Sequence, residues 1–194
     1  NNQTGNFDFF GIRYAAAPIV VSFLVLNLTC HLVGSLRWRA PQIPQTVPGI
    51  QKADTHPDTC WQTGAGTQPG TPFPTQNNHQ HQKRDAPPSS EDCLFLNEGL
   101  PKLMYLHSIT TPVSGNGSLP VVVWIHGGGY MGGSAIGFKG DDLVREAGSG
   151  VVAVATQYRL GVFGFLSSQK ISDGGALNVG LREYSVVFSN KNDS

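Results

Sequence analysis

The stretch His126-Gly127-Gly128-Gly129 closes a run of apolar, largely β-branched residues, Leu119 to Ile125. Three successive glycines at the end of a strand can hold an anion. Glycine alone adopts positive φ at little cost, so consecutive N–H groups can turn inward with no side chain in the way. Two anions suit that chemistry: a phosphate, or the oxyanion formed when an ester carbonyl is attacked. The phosphate reading fails on spacing. The chain has no G-x-x-x-x-G-K-[ST], and no G-x-G-x-x-G followed at once by a helix with an acidic residue suitably downstream. The oxyanion reading suits both the strand before the glycines and Tyr130 after them. One donor in such a hole lowers the barrier by about 3–4 kcal/mol.

Elements on either side must hold this loop. Leu119 to His126 reads as a strand buried on both faces, because its apolar run does not alternate. Asp141 to Ala147 has helical character, with aspartate at its start and Gly148 just past its end. Val151 to Ala155 reads as a second buried strand, running towards Tyr158-Arg-Leu-Gly-Val-Phe-Gly-Phe. Strand, helix and strand in this order give a parallel pair in an α/β sheet. Asp8 to Tyr14 reads as a short strand whose Gly11 marks a turn or a close contact. Trp38 to Pro41 and the prolines at 44 and 48 predict extended chain. From Gln62 to Ser90, Gly, Pro, Gln, Thr, Asn and His dominate without period, predicting a long surface loop.

Composition excludes some partners. Thirteen basic and thirteen acidic side chains cancel, so no long-range field attracts nucleic acid or anionic lipid. Ala15 to Val33 is mostly apolar, but Asn27, Thr29 and His31 leave a run too short to span a bilayer, and no transmembrane segment is expected. There is no initiating Met and no signal peptide, so the first residue reads as a mature end or an arbitrary start. Sequons at Asn2, Asn27, Asn116 and Asn192 would carry glycans only on a secreted protein. Cys30, Cys60 and Cys93 leave one cysteine over however they pair. Cys60 and Cys93 bracket the long loop, either as a bridge worth about 3–4 kcal/mol of unfolded-chain entropy or as two buried thiols.

Five stretches together resemble the type-B carboxylesterase/lipase family, which also contains the cholinesterases. They are Phe10-Gly-Ile-Arg-Tyr-Ala, Val33-Gly-Ser-Leu-Arg-Trp-Arg-Ala-Pro, Ser90-Glu-Asp-Cys-Leu-Phe-Leu-Asn, Val121-Val-Val-Trp-Ile-His-Gly-Gly-Gly-Tyr and Gln157-Tyr-Arg-Leu-Gly-Val-Phe-Gly-Phe-Leu. The resemblance implies the N-terminal portion of an α/β-hydrolase fold: a mixed, mostly parallel central sheet flanked by helices, here incomplete. It implies serine-dependent hydrolysis of a small-molecule or lipid ester, without cofactor or metal, by a secreted glycoprotein. Gly128 and Gly129 match the oxyanion-hole glycines, and Cys60 and Cys93 match the family's first disulfide. His126 belongs to the loop and is not the catalytic histidine. Glu91 and Arg159 match positions of structural charge pairing.

No G-x-S-x-G occurs in these 194 residues, and the Ser, Asp/Glu and His of the family's triad are all expected beyond Arg182. On that reading the chain alone lacks a nucleophile and is inactive. Three stretches leave the family's pattern: about 19–32, about 98–108, and 183–194. Deleting the first rejoins Ala-Ala-Ala-Pro to Val33-Gly-Ser-Leu-Arg-Trp, and deleting the second rejoins Cys-Leu-Phe-Leu-Asn to Ile109-Thr-Thr-Pro. All three read either as translated introns, the last ending at an in-frame stop, which would make Cys30 and the Asn27 sequon artefacts, or as genuine loop insertions in a divergent member. Residues 1–182 are then a family domain with two insertions, and 183–194 a non-family tail. Such a chain should leave apolar sheet faces at Val121–Ile125 and Val151–Ala155 partly uncovered. Alternatives from other classes are a non-catalytic binding or adhesion member of the fold, and a gene fragment without function.

Overall fold

Parallel pairing of two apolar runs organises the chain. A computed structural model describes residues 7–18, 36–63, 88–100 and 119–189. Val121–Ile125 (β5) and Val152–Thr156 (β6) lie parallel, from Val121 opposite Val152 to Ile125 opposite Thr156. Helix α1, Gly140–Glu146, connects them, with Asp141 and Asp142 in its first turn and Arg145 in its last. Both charges oppose the helix dipole favourably. β6 also pairs antiparallel with Phe95–Leu100 (β4), which pairs antiparallel with Phe7–Arg13 (β1). The order is β1-β4-β6-β5, a mixed sheet with one parallel pairing in this portion. Thr59–Cys60 (β2) and Ser89–Ser90 (β3) form a separate short parallel pair.

β6 is buried along its whole length, as its apolar run predicts, so the expected partial exposure of Val151–Ala155 does not occur within this strand. β5 is not buried throughout. Val122 and Ile125 are 40% and 42% exposed, so the expectation of burial on both faces fails there. The reason is position: among the described residues β5 ends the sheet, with β6 its one neighbour. The expected close contact at Gly11 is real. A register shift lies between Phe9 and Ile12, the Gly11 N–H donates to Asn97 Oδ1 at 3.1 Å, and an added Cβ would stand 3.0 Å from the Thr55 carbonyl oxygen. Glu98 to Leu100, expected to open an inserted stretch, continue β4, and Glu98 and Gly99 are registered against Val154 and Ala153. Residues 101–108 and 19–32, Cys30, all four sequons and 190–194 lie outside the described residues.

Three consecutive residues of the Ser90-Glu-Asp-Cys-Leu motif each tie down a distant segment. Glu91 forms an ion pair with Arg37, Asp92 takes both terminal nitrogens of Arg13 at 2.6 and 2.8 Å, and Cys93 bridges to Cys60. The disulfide is itself in the core, among Tyr14, Ala15, Leu94, Tyr158 and Leu160. Of the two states open for these cysteines, the bridge is the one formed. Replacing both cysteines by alanine is expected to cost about 2–5 kcal/mol. Urea unfolding of the full-length protein measures it, and a loss under about 1 kcal/mol would contradict the account.

After β6 the chain turns through Gly161–Phe165 (α2), Gln169–Asp173 (α3) and Val179–Ser189 (α4). Arg159 is the buried pivot. Its Nε and its backbone N–H both donate to the carboxylate of Glu183 in α4, while its terminal nitrogens donate to the carbonyls of Leu36 and Arg39 at 3.2 and 2.9 Å. That capture curls residues 36–38 into a turn, closed by the Arg39 N–H on the Leu36 carbonyl. The stretch from Trp38, expected to be extended throughout, therefore begins in a turn. Burial pushes the Glu183 carboxyl up to about 7, with Arg159 pulling it down. Glu183, expected to start a non-family tail, is thus the fully buried partner of the Arg159 charge. Tyr184, Val186 and Val187 of the same helix pack against the core.

Candidate active site

The glycine loop leaves the C-terminal end of β5 and folds back on itself. The Gly128 carbonyl accepts from the N–H groups of Met131 and Gly132 at 3.1 and 3.2 Å, closing a tight turn. Gly128 has φ +122° and Gly129 φ +61°, the positive values for which the triple glycine was singled out. Space is as restrictive as backbone angle. A Cβ on Gly128 would lie 2.0 Å from the Gly132 carbonyl oxygen, and one on Gly133 would lie 2.3 Å from the Gly127 carbonyl oxygen. The two limbs of the loop therefore touch through bare backbone. Around Gly127 and Gly129 the corresponding space is open. Among the described residues, no backbone carbonyl accepts from the Gly128 or Gly129 N–H.

His126 anchors the start of the loop and is buried. Its ring stacks on Tyr158 with centroids 4.4 Å apart, its Nδ1 lies 2.9 Å from the Gly127 carbonyl oxygen, and its own carbonyl accepts from the Tyr158 hydroxyl at 3.0 Å. Burial lowers its pKa from the ordinary value, against a smaller opposing pull from the Gly127 carbonyl. A histidine so placed packs as a neutral ring. Because its folded pKa is depressed, the unfolded chain binds more protons below about pH 6.5, so this group's contribution is complete above that value and is lost as pH falls. Glu183, raised to about 7, acts oppositely, stabilising below its unfolded pKa and losing that contribution as pH rises through about 7. Comparison with a His126→Gln variant cancels the Glu183 effect. From about pH 7.5 to about pH 5.5 the wild-type melting temperature should drop more steeply than the variant's, and parallel curves would contradict this.

Contacts from far along the chain hold the loop from outside. The Gly161 N–H donates to the Tyr130 carbonyl at 2.7 Å, and the Thr63 N–H donates to the Met131 carbonyl at 2.8 Å. Gly161 is the glycine of the Tyr158-Arg-Leu-Gly motif, and a Cβ there would strike the Thr63 side chain at 2.6 Å. Gln62 makes two bonds to Gly133. Tyr130 is half-exposed, its ring centroid 4.8 Å from that of Phe165. Sequence reading placed Gly128, Gly129 and His126 in this loop but missed Gln62, Thr63, Gly133, Tyr158 and Gly161. Glycines at 132, 133 and 161 and the nearness of Gln62 to Cys60 were the available signals. Glu91 and Arg159 lie in ion pairs away from the loop, with Arg37 and Glu183. Among the described residues no cluster of His, Cys, Asp or Glu could hold a metal, and no helix is long and apolar enough to cross a membrane.

A model of the Carboxylesterase family matches residues 1–183. The chain is 33% identical over 173 residues to neuroligin-2 of Mus musculus, covering 83% of this chain and 19% of that protein. It is 32% identical over 189 residues to the fumonisin B1 esterase of Sphingopyxis macrogoltabida, covering 93% of this chain and 27% of that protein. Among solved structures, Aspergillus niger EstA superimposes with a TM-score of 0.67 at 29% identity, over 95% of this chain and 28% of that one. The chain thus spans between about a fifth and just over a quarter of these relatives' length.

Proposed function

Because the chain belongs to the carboxylesterase family and has part of the α/β-hydrolase fold, we propose that the protein hydrolyses carboxylic esters through a serine nucleophile. In this reading Gly128 and Gly129 receive the oxyanion. The observation that carries it is the folded-back glycine loop at the end of β5, with two N–H groups that donate to no backbone carbonyl among the described residues. Donors held in advance where charge develops stabilise the transition state without reorganising, the largest single effect in acyl transfer. The substrate is a small-molecule or lipid ester, and the fumonisin B1 esterase supports the ester class. The Cys60–Cys93 bridge supports secretion, since disulfides persist in oxidising compartments.

These 194 residues hold the oxyanion loop and its supports but no serine elbow, so they do not turn over esters by themselves. Sequencing the mature transcript tests this. It should omit the codons for about 19–32 and about 101–108, keep those for Glu98–Leu100 of β4 and for Glu183, and continue beyond Glu183 into a G-x-S-x-G. Persistence of those codons with a stop after Ser194 would overturn the intron reading and exclude catalysis. A second reading, a non-catalytic binding member, is favoured by the likeness to neuroligin-2. A full-length sequence without the elbow serine would select it.

A further inference from the structure

We propose that Gln62 is a positioning residue for the oxyanion loop, a role that rests on the esterase reading above. The Gln62 side-chain amide pairs with the backbone of Gly133 in both directions. Nε2 donates to the Gly133 carbonyl at 3.0 Å, and the Gly133 N–H donates to Oε1 at 3.2 Å. The next residue adds a third bond, from the Thr63 N–H to the Met131 carbonyl at 2.8 Å. Glutamine is suited to this task because one side chain carries both a donor and an acceptor.

The anchor behind Gln62 is firm. Cys60, two residues before it, is bridged to Cys93 within the core, and the neighbours of Cys93 are ion-paired to Arg13 and Arg37. The limb that Gln62 grips is the wall of the loop. The Gly132 carbonyl fills the space where a Gly128 side chain would be, and the Gly132 N–H donates to the Gly128 carbonyl. A shift of Gly133 therefore passes through Gly132 to the turn that carries the Gly128 and Gly129 N–H groups. Oxyanion donors act at about 2.7–3.1 Å from the developing charge, and a displacement of about 1 Å costs on the order of 100-fold in rate. Gln62 is exposed and bonds to backbone alone, so it acts through the loop and not on the reacting atoms. Loss of the clamp should lower kcat and leave KM unchanged.

The test compares Gln62→Ala and Gln62→Met with wild type in the full-length protein, using 4-nitrophenyl butyrate kinetics and amide hydrogen exchange over residues 127–133. Methionine keeps the length of the side chain and removes both hydrogen bonds. Expected are a fall in kcat of about 10- to 100-fold in both variants, a KM within about twofold of wild type, and faster exchange in the loop. Wild-type kcat in the variants, or a raised KM with kcat intact, would overturn the proposal. If wild type itself releases no nitrophenol, the esterase reading fails separately. Exchange then decides the role of Gln62: acceleration over 127–133 upholds the clamp, and unchanged exchange refutes it.

Discussion

Gly128→Ala in the full-length protein is expected to lower kcat by about 100- to 1,000-fold, the loss that follows removal of an oxyanion donor. Gly129→Ala should cost less than about tenfold. The contrast comes from what each new methyl group meets. At Gly128 it would lie 2.0 Å from the Gly132 carbonyl oxygen and 2.6 Å from the carbonyl carbon, both backbone atoms that cannot turn aside. The limb must move, and the φ of +122° is closed to alanine besides. At Gly129 no atom lies within 4 Å of the added methyl. Alanine there bears the strain of a left-handed backbone, about 1–2 kcal/mol, and keeps its N–H in place. Both variants are assayed on a 4-nitrophenyl ester, with circular dichroism to confirm the fold. Equal losses would mean that the geometry of the loop does not govern the rate.

Arg159→Met is expected to destabilise the full-length protein by about 3–5 kcal/mol, because it leaves the Glu183 carboxylate buried without its partner. It also strips two donors from the carbonyls of Leu36 and Arg39. Glu183→Leu should cost less, since Arg159 retains those two carbonyls. The double variant should recover a large part of the loss, because a pair of apolar side chains can replace a buried ion pair at little cost. Urea denaturation of the four proteins closes the cycle, and simple additivity would show that the pair is not coupled.

Sequence reading reached the parts of this fold that rest on local pattern. β5, α1 and β6 follow from uninterrupted apolar runs and a helix with acidic residues at its start, and the parallel pairing follows from their order. The glycine loop was legible because glycine marks backbone that no other residue can follow. The place of β4 was not legible. Phe95–Leu100 reads Phe-Leu-Asn-Glu-Gly-Leu, which neither alternates cleanly nor forms a continuous apolar run, yet it lies between β1 and β6. Nor was the support of the loop. Gln62 and Gly133 are 71 residues apart, and a side-chain amide bonded to a peptide group leaves no periodic trace. The Arg159–Glu183 pair fell across the boundary drawn between family chain and tail, so Glu183 was set aside by pattern where burial and charge required it. The exposure of β5 likewise depends on which strands stand beside it, and its own residues do not carry that information.

The most direct measurement is stopped-flow hydrolysis of 4-nitrophenyl acetate by the full-length protein, before and after treatment with a phosphonate that reacts with activated serines. The account predicts a burst of about one nitrophenolate per protein molecule, then slower turnover, with both abolished by the phosphonate. No release above the uncatalysed rate, or release untouched by the phosphonate, would contradict a serine esterase whose oxyanion is held by Gly128 and Gly129.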